Sequence, residues 1–252
     1  MLGGRAAVAL FLVVSLWALR EFLRFLPAEE RPKDTVVLAV VATVLHYGAI
    51  ALNLETVSPD LVLVFFCFAV IPLVRARLHG PAGVLTASGR IAFGLLVCTF
   101  ALGHVARLFL LPSTVGPAGP EGLAGLLFVS IMTNDASQYV VGKLTGRHRL
   151  APVLSPRKTW EGFAGGVLIT ALVTSAASSL LAPFDRLTGA LLGAAMAILG
   201  LLGDLLVSAI KRDVGVKDSG AVLPGQGGIL DRCDSMLLSA PLFFYVVNAW
   251  LR

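Results

Sequence analysis

Five aspartates and four cations fall between Gly203 and Ser235 of this 252-residue chain, while the flanking sequence is almost free of charge. The stretch reads GDLLVSAIKRDVGVKDSGAVLPGQGGILDRCDS. Asp204, Ser208 and Lys211 are spaced i, i+4 and i+7, which puts a carboxylate, a hydroxyl and an ammonium on one helix face. After Arg212 the helix must end near Gly215, and Lys217, Asp218, Ser219 and Gly220 make a polar turn. Pro224-Gly225-Gln226-Gly227-Gly228 cannot be regular helix, and its glycines allow the backbone to come close to a ligand. Asp231 and Asp234 then stand i, i+3 on the opening turn of the next helix, with Arg232 between them. Carboxylates converging with Lys and Arg suit Mg²⁺-dependent handling of phosphates. That ion takes one or two carboxylates and completes its shell with substrate oxygens. Metal and cations together neutralise a phosphoryl group in transfer.

Two upstream segments add to this chemistry. Asp135 follows Asn134 inside an apolar run, where a carboxylate costs several kcal/mol unless it is paired, solvated or metal-bound. It must face a wet cavity or a basic partner, and Lys143 follows shortly after. Further on, Ser155-Pro156 has the form of a helix N-cap and first helical position. That would leave Arg157 and Lys158 at a helix N-terminus, where free N–H groups and two cations make a phosphate site. The plainer reading of Arg157 and Lys158 is two topology charges beside a cap.

The elements that position these residues are set by composition. The chain is 57% hydrophobic and 14% charged, against about 25% charged in a soluble domain. Its apolar runs lack the alternation of strands and are long enough to cross a bilayer as helices. We read an all-α integral membrane protein with about eight spans, near 6–24, 35–54, 60–74, 89–111, 122–142, 162–182, 187–210 and 236–251. The first run follows Arg5 but has no cleavage pattern after it, so it reads as a retained span. Four alternate loops hold sixteen of the twenty Lys and Arg residues. The positive-inside rule then puts those loops in the cytoplasm and both termini on the non-cytoplasmic side. It also accounts for the net charge of +5 without nucleic acid as a partner.

One polytopic domain over 1–252 is the economical reading. Residues 1–115 serve as scaffold and lipid access, and 120–252 carry the site. Arg75 and Arg77 read as topology anchors rather than headgroup ligands. His46 and His104 have no second ligand at helical spacing and read as packed or internally hydrogen-bonded. Cys67, Cys98 and Cys233 offer no disulfide or zinc framework and read as small core residues.

No P-loop, HExxH or Gly-x-Ser-x-Gly pattern is present, so neither Walker-type phosphate binding, a zincin site nor a nucleophile elbow is indicated. The residues alone point to a membrane enzyme acting on phosphate groups, with a transporter, ion channel or lipid-binding protein still open. The site charges lie in one half and on one side, whereas a transporter places broken helices in two corresponding repeats.

Ser208-x-x-Lys211-Arg212-x4-Lys217-Asp218-Ser219-Gly220, followed by Leu223-Pro-Gly-x-Gly-Gly-Ile-Leu-Asp231-Arg232-x-Asp234-Ser235, resembles the C-terminal motif of the phosphatidate cytidylyltransferase (CDP-diacylglycerol synthase) family. Asp135…Gly142-Lys143 and Ser155-Pro-x-Lys158-Thr-Trp-Glu-Gly162 resemble it too. The resemblance spans roughly residues 130 to 240. It implies transfer of a cytidylyl group from CTP to phosphatidic acid, giving CDP-diacylglycerol and pyrophosphate. A related lipid or polyprenyl phosphate is the alternative acceptor. By this resemblance Asp204 and Asp231 are the Mg²⁺ ligands, with room for a second cation. Lys211, Arg212, Lys217 and Arg232 hold the phosphates of CTP and lipid. Asp218, Ser219 and Asp234 shape the pocket with Ser208, and Lys143, Lys158 and Asp135 line it from upstream. Gly225, Gln226, Gly227 and Gly228 let nucleotide phosphates approach the backbone. The implied setting is the bacterial inner membrane, with membrane lipids as surroundings and a homodimer suggested. Two positions depart from the family: Gln226 stands where His is usual, and Val207 where an acidic residue is usual. A glutamine can hydrogen-bond a phosphate or ribose but does not titrate near neutral pH.

Overall fold

Prolines and short polar segments cut the apolar sequence into rods. In the computed structural model, which describes residues 2–53, 58–220 and 227–251, the chain forms two units. One comprises Met1–Arg107 and Ser219–Leu230, the other Leu108–Asp218 and Asp231–Arg252.

In the first unit, helix α1 (Leu2–Leu23) is followed by a 3₁₀ turn, Ala28–Glu30, and by α2 (Lys33–Leu52). Pro27 and Pro32 flank the turn and forbid one continuous helix. Helix α2 stops at Asn53, whose left-handed backbone (φ 48°) makes the C-cap. Helices α3 (Pro59–His79) and α4 (Val84–Leu108) follow. Pro72 lies in α3 just after a wider π-turn at Phe66–Val70. The extra residue in that turn relieves the clash a proline ring makes with the preceding turn's carbonyl. Arg75, expected as a topology anchor, is buried and donates to the carbonyls of Glu29 and Glu30 at 3.2 and 3.1 Å. The helix therefore runs past position 74, where hydropathy alone ends it. His46 meets the Pro59 carbonyl at 3.0 Å and His104 that of Phe100 at 2.8 Å, the internal hydrogen bonds expected of single histidines in apolar helices.

In the second unit, α5 (Gly119–Thr145) leads through a hairpin, β1 (Arg149–Ala151) and β2 (Ser155–Thr159), to α6 (Trp160–Leu181), α7 (Arg186–Asp213), a short turn α8 (Leu230–Cys233) and α9 (Met236–Trp250). Small residues let the helices close in, as helices without a hydrophobic drive between them must. A Cβ on Gly166 of α6 would overlap Gln138 of α5, and one on Gly193 of α7 would lie 2.7 Å from Thr174 of α6. Helix α7 starts at Asp185, whose carboxylate accepts the Thr188 amide at 3.1 Å.

The hairpin corrects one expectation. Ser155 does not cap a helix, and Arg157 and Lys158 do not stand at a helix N-terminus; all three lie on β2. The residue before a proline is biased to extended backbone, and Ser155 pairs across the hairpin with Ala151. Thr159 supplies the cap instead, accepting the Gly162 amide at 3.1 Å. Thr159→Ala is expected to lower stability by about 1 kcal/mol, read as an earlier melting transition of the detergent-solubilised protein.

Among the described residues six helices (α1, α2, α3, α4, α6 and α7) are long and apolar enough to cross a membrane. Large apolar side chains such as Leu10, Phe68, Leu85, Leu168 and Leu191 point outward. This is the surface of a multi-pass helical membrane protein, with backbone groups satisfied inside each helix.

Candidate active site

The second unit brings the central charges together as two ion pairs. On α7, Asp204 Oδ1 accepts from Ser208 Oγ at 3.3 Å, so the predicted face exists. Asp204 Oδ2 meets Lys158 Nζ of β2 at 2.7 Å. About two turns further along α7, Lys211 Nζ reaches Asp231 Oδ1 of α8 at 2.6 Å. These side chains are only 10–27% exposed, so solvent screens the pairs less than it would surface charges.

Three further groups join them. Asp135 on α5 accepts from Ser235 Oγ at 3.0 and 3.2 Å and lies within electrostatic reach of Lys158 and Asp204. It thus has the basic neighbour its place in an apolar run demands. Asp234, between α8 and α9, accepts the Ser235 amide at 2.7 Å. Burial, and after it the Asp204 carboxylate, pushes its carboxyl up to about 7. Gly203 is why α7 comes so close: a Cβ there would overlap the Asp234 carbonyl.

The other predicted residues have their own surroundings. Arg212 is exposed and donates to the Val216 carbonyl at 3.2 Å, closing the end of α7. Lys217, Asp218 and Arg232 are exposed. Lys143 is also exposed, with its ammonium over the Tyr139 ring at 5.9 Å. Gly225 and Gln226 lie outside the described residues. In the first unit, Ser219 is buried with its hydroxyl on Glu21 at 2.8 Å, Gly227 has the left-handed φ of 80° that favours glycine, and Gly228 packs against Glu21.

Sequence reasoning missed Ser235 and Glu21. Ser235 adjoins Asp234 in the motif, and its hydroxyl is a donor a lone carboxylate needs. Glu21 lies towards the end of the first apolar run, where no neighbouring residue marks it as part of a site.

Carboxylates are hard oxygen donors, so Asp204 and Asp231 have the chemistry Mg²⁺ requires. Among the described residues no three His, Cys, Asp or Glu side chains form a ready-made cage. Lysines held by carboxylates can turn to an incoming phosphate while the carboxylates take the cation.

A model of the cytidylyltransferase family matches residues 1–250. The chain belongs to that family. A phosphatidate cytidylyltransferase of Synechocystis sp. is 36% identical over 279 residues, covering 98% of this chain and 90% of that protein. The uncharacterized protein YnbB of Escherichia coli (strain K12) is 40% identical over 181 residues, 72% of this chain and 60% of that protein. A phosphatidate cytidylyltransferase of Mycobacterium bovis is 39% identical over 137 residues, 54% of this chain and 43% of that protein. This chain therefore spans nine-tenths of the first relative's length but only about half of the other two. Of the two departures from the family motif, Val207 is fully buried in α7. A carboxylate there would have to give up solvent, at a cost that only a close cation could offset.

Proposed function

We propose that this cytidylyltransferase-family protein transfers the cytidylyl group of CTP to phosphatidic acid, giving CDP-diacylglycerol and pyrophosphate. The observation that carries the reading is the two half-buried ion pairs, Lys158–Asp204 and Lys211–Asp231, at 2.7 and 2.6 Å in one unit. Membership of the family and the names of two relatives support it.

A phosphate oxygen of the lipid attacks the α-phosphorus of CTP. The bond from that phosphorus to the bridging oxygen breaks, and pyrophosphate leaves. A general base is not needed, because a phosphate monoester is already anionic at neutral pH. Lys158 and Lys211 turn from their carboxylates towards phosphate oxygens and offset charge on the phosphoryl group in flight. Asp204 and Asp231 hold Mg²⁺, which when bound supplies further charge neutralisation. Ser235 and Ser208 keep Asp135 and Asp204 oriented. In this reading the chain crosses a bacterial inner membrane eight times, with both termini outside and the site facing the cytoplasm, where CTP is. The concentration of cations in alternate loops supports that orientation. A homodimer is part of the same reading.

Purified protein incubated with labelled CTP, Mg²⁺ and a panel of lipid phosphates tests it. Label is expected in lipid with phosphatidic acid as acceptor. Label confined to another lipid phosphate would reassign the acceptor, and none with any acceptor would overturn the reading. Gln226→His is expected to leave the rate unchanged or raise it, measured as initial velocity at saturating CTP.

A further inference from the structure

Glu21 sits on α1 with only 1% of its surface exposed, far in sequence from every residue discussed as chemistry. A carboxylate on an apolar helix is costly unless donors surround it. Glu21 has three. Oε2 accepts from the Ser219 hydroxyl at 2.8 Å and from the Leu230 amide at 3.0 Å, and Oε1 from the Ile229 amide at 3.0 Å. One carboxylate thus holds both ends of the segment from Ser219 to Leu230. Two glycines make the approach feasible. A Cβ on Gly220 would lie 2.8 Å from Glu21 Oε1, and a Cβ on Gly228 would overlap Oε2.

Leu230 opens the helical turn α8, and Asp231 is its next residue. Pinning the Leu230 amide fixes the backbone from which the Asp231 carboxylate springs. We infer that Glu21 is a positioning residue for the transfer reaction. It acts through the 229–230 backbone on Asp231, and the inference rests on the function proposed above. Neither side of Glu21 is interchangeable with an amide. Glutamine offers one acceptor oxygen and turns an NH₂ donor against donors already in place.

Glu21→Gln protein, purified in detergent, is compared with wild type for CTP and phosphatidic acid kinetics and for amide hydrogen exchange. We expect kcat/KM for CTP to fall about 10- to 100-fold, the range set by losing hydrogen bonds to a charged group. KM for phosphatidic acid should stay within about twofold, and Glu21→Asp should restore part of the loss. The Ile229 and Leu230 amides should exchange at least about tenfold faster, since their acceptor is gone. Folded Glu21→Gln protein with wild-type CTP kinetics and wild-type exchange overturns the inference. So does a fall in kcat/KM that tracks only the loss of folded protein. If Glu21→Gln does not fold, Ser219→Ala and Gly228→Ala decide the matter, and wild-type CTP kinetics in both would overturn it. Wild-type protein that labels no lipid sinks the proposed function, whereas the exchange measurement still reports on Glu21.

Discussion

Asp231→Asn is expected to reduce transfer of label from CTP to lipid by at least about 10²-fold, the scale on which loss of one preorganised charged contact reports. Two effects combine. The substitution removes a carboxylate proposed to hold Mg²⁺, so raising the Mg²⁺ concentration should recover little of the rate. It also strands Lys211, whose ammonium lies 2.6 Å from Asp231 with 13% of the side chain exposed. Breaking one side of a buried pair costs about 3–5 kcal/mol, and at this slight exposure the lower end applies, read as a fall in melting temperature. The double variant Asp231→Asn/Lys211→Met separates the two. It removes both charges, so it should regain most of the stability and none of the activity. Activity near wild type in either variant would remove Asp231 from the site.

Lys158→Met is the second large effect. The ammonium is 2.7 Å from Asp204 Oδ2 and within reach of Asp135. Without it, Asp204, Asp135 and Asp234 face one another with one cation fewer. A drop of about 10²-fold in kcat/KM for CTP is expected, with stability falling less than for Asp231→Asn because both partners are more exposed. The protein should also gain stability from added Mg²⁺, since a cation that binds only the folded state shifts unfolding by mass action. A variant that binds Mg²⁺ and turns over as wild type does would show Lys158 to be a structural charge. Arg157, its neighbour on β2, is exposed, whereas Lys158 is half-buried against Asp204. A helix N-terminus at that point would have offered both cations to the same anion.

That contrast marks where sequence reading stopped. Ser155-Pro156 and Thr159 carry equally good capping chemistry, and local preference alone could not choose between them. The pairing of Ser155 with Ala151 decided it, because backbone held extended in the hairpin up to Thr159 cannot also open a helix at Ser155. The face carrying Asp204 and Ser208 was legible because helical spacing depends only on 3.6 residues per turn. Lys211 was placed on that face correctly, but its partner, Asp231, twenty residues on, was not predicted.

Glu21 shows the limit most clearly. A carboxylate at the end of an apolar run reads as topology, and nothing nearby in sequence suggests that it holds Ser219, Ile229 and Leu230. For the stretch from Gly203 to Ser235, the sequence by itself determined the chemistry and the helical housing. Carboxylates and cations at helical spacing define one, and a bilayer that cannot satisfy stray backbone groups enforces the other. Only the tertiary structure decided which lysine meets which aspartate and which residue fastens the glycine segment. Those contacts depend on how helices and strands rotate and stack against one another, and that is set by close approaches such as those at Gly203 and Gly228, not by the order of residues along any one of them.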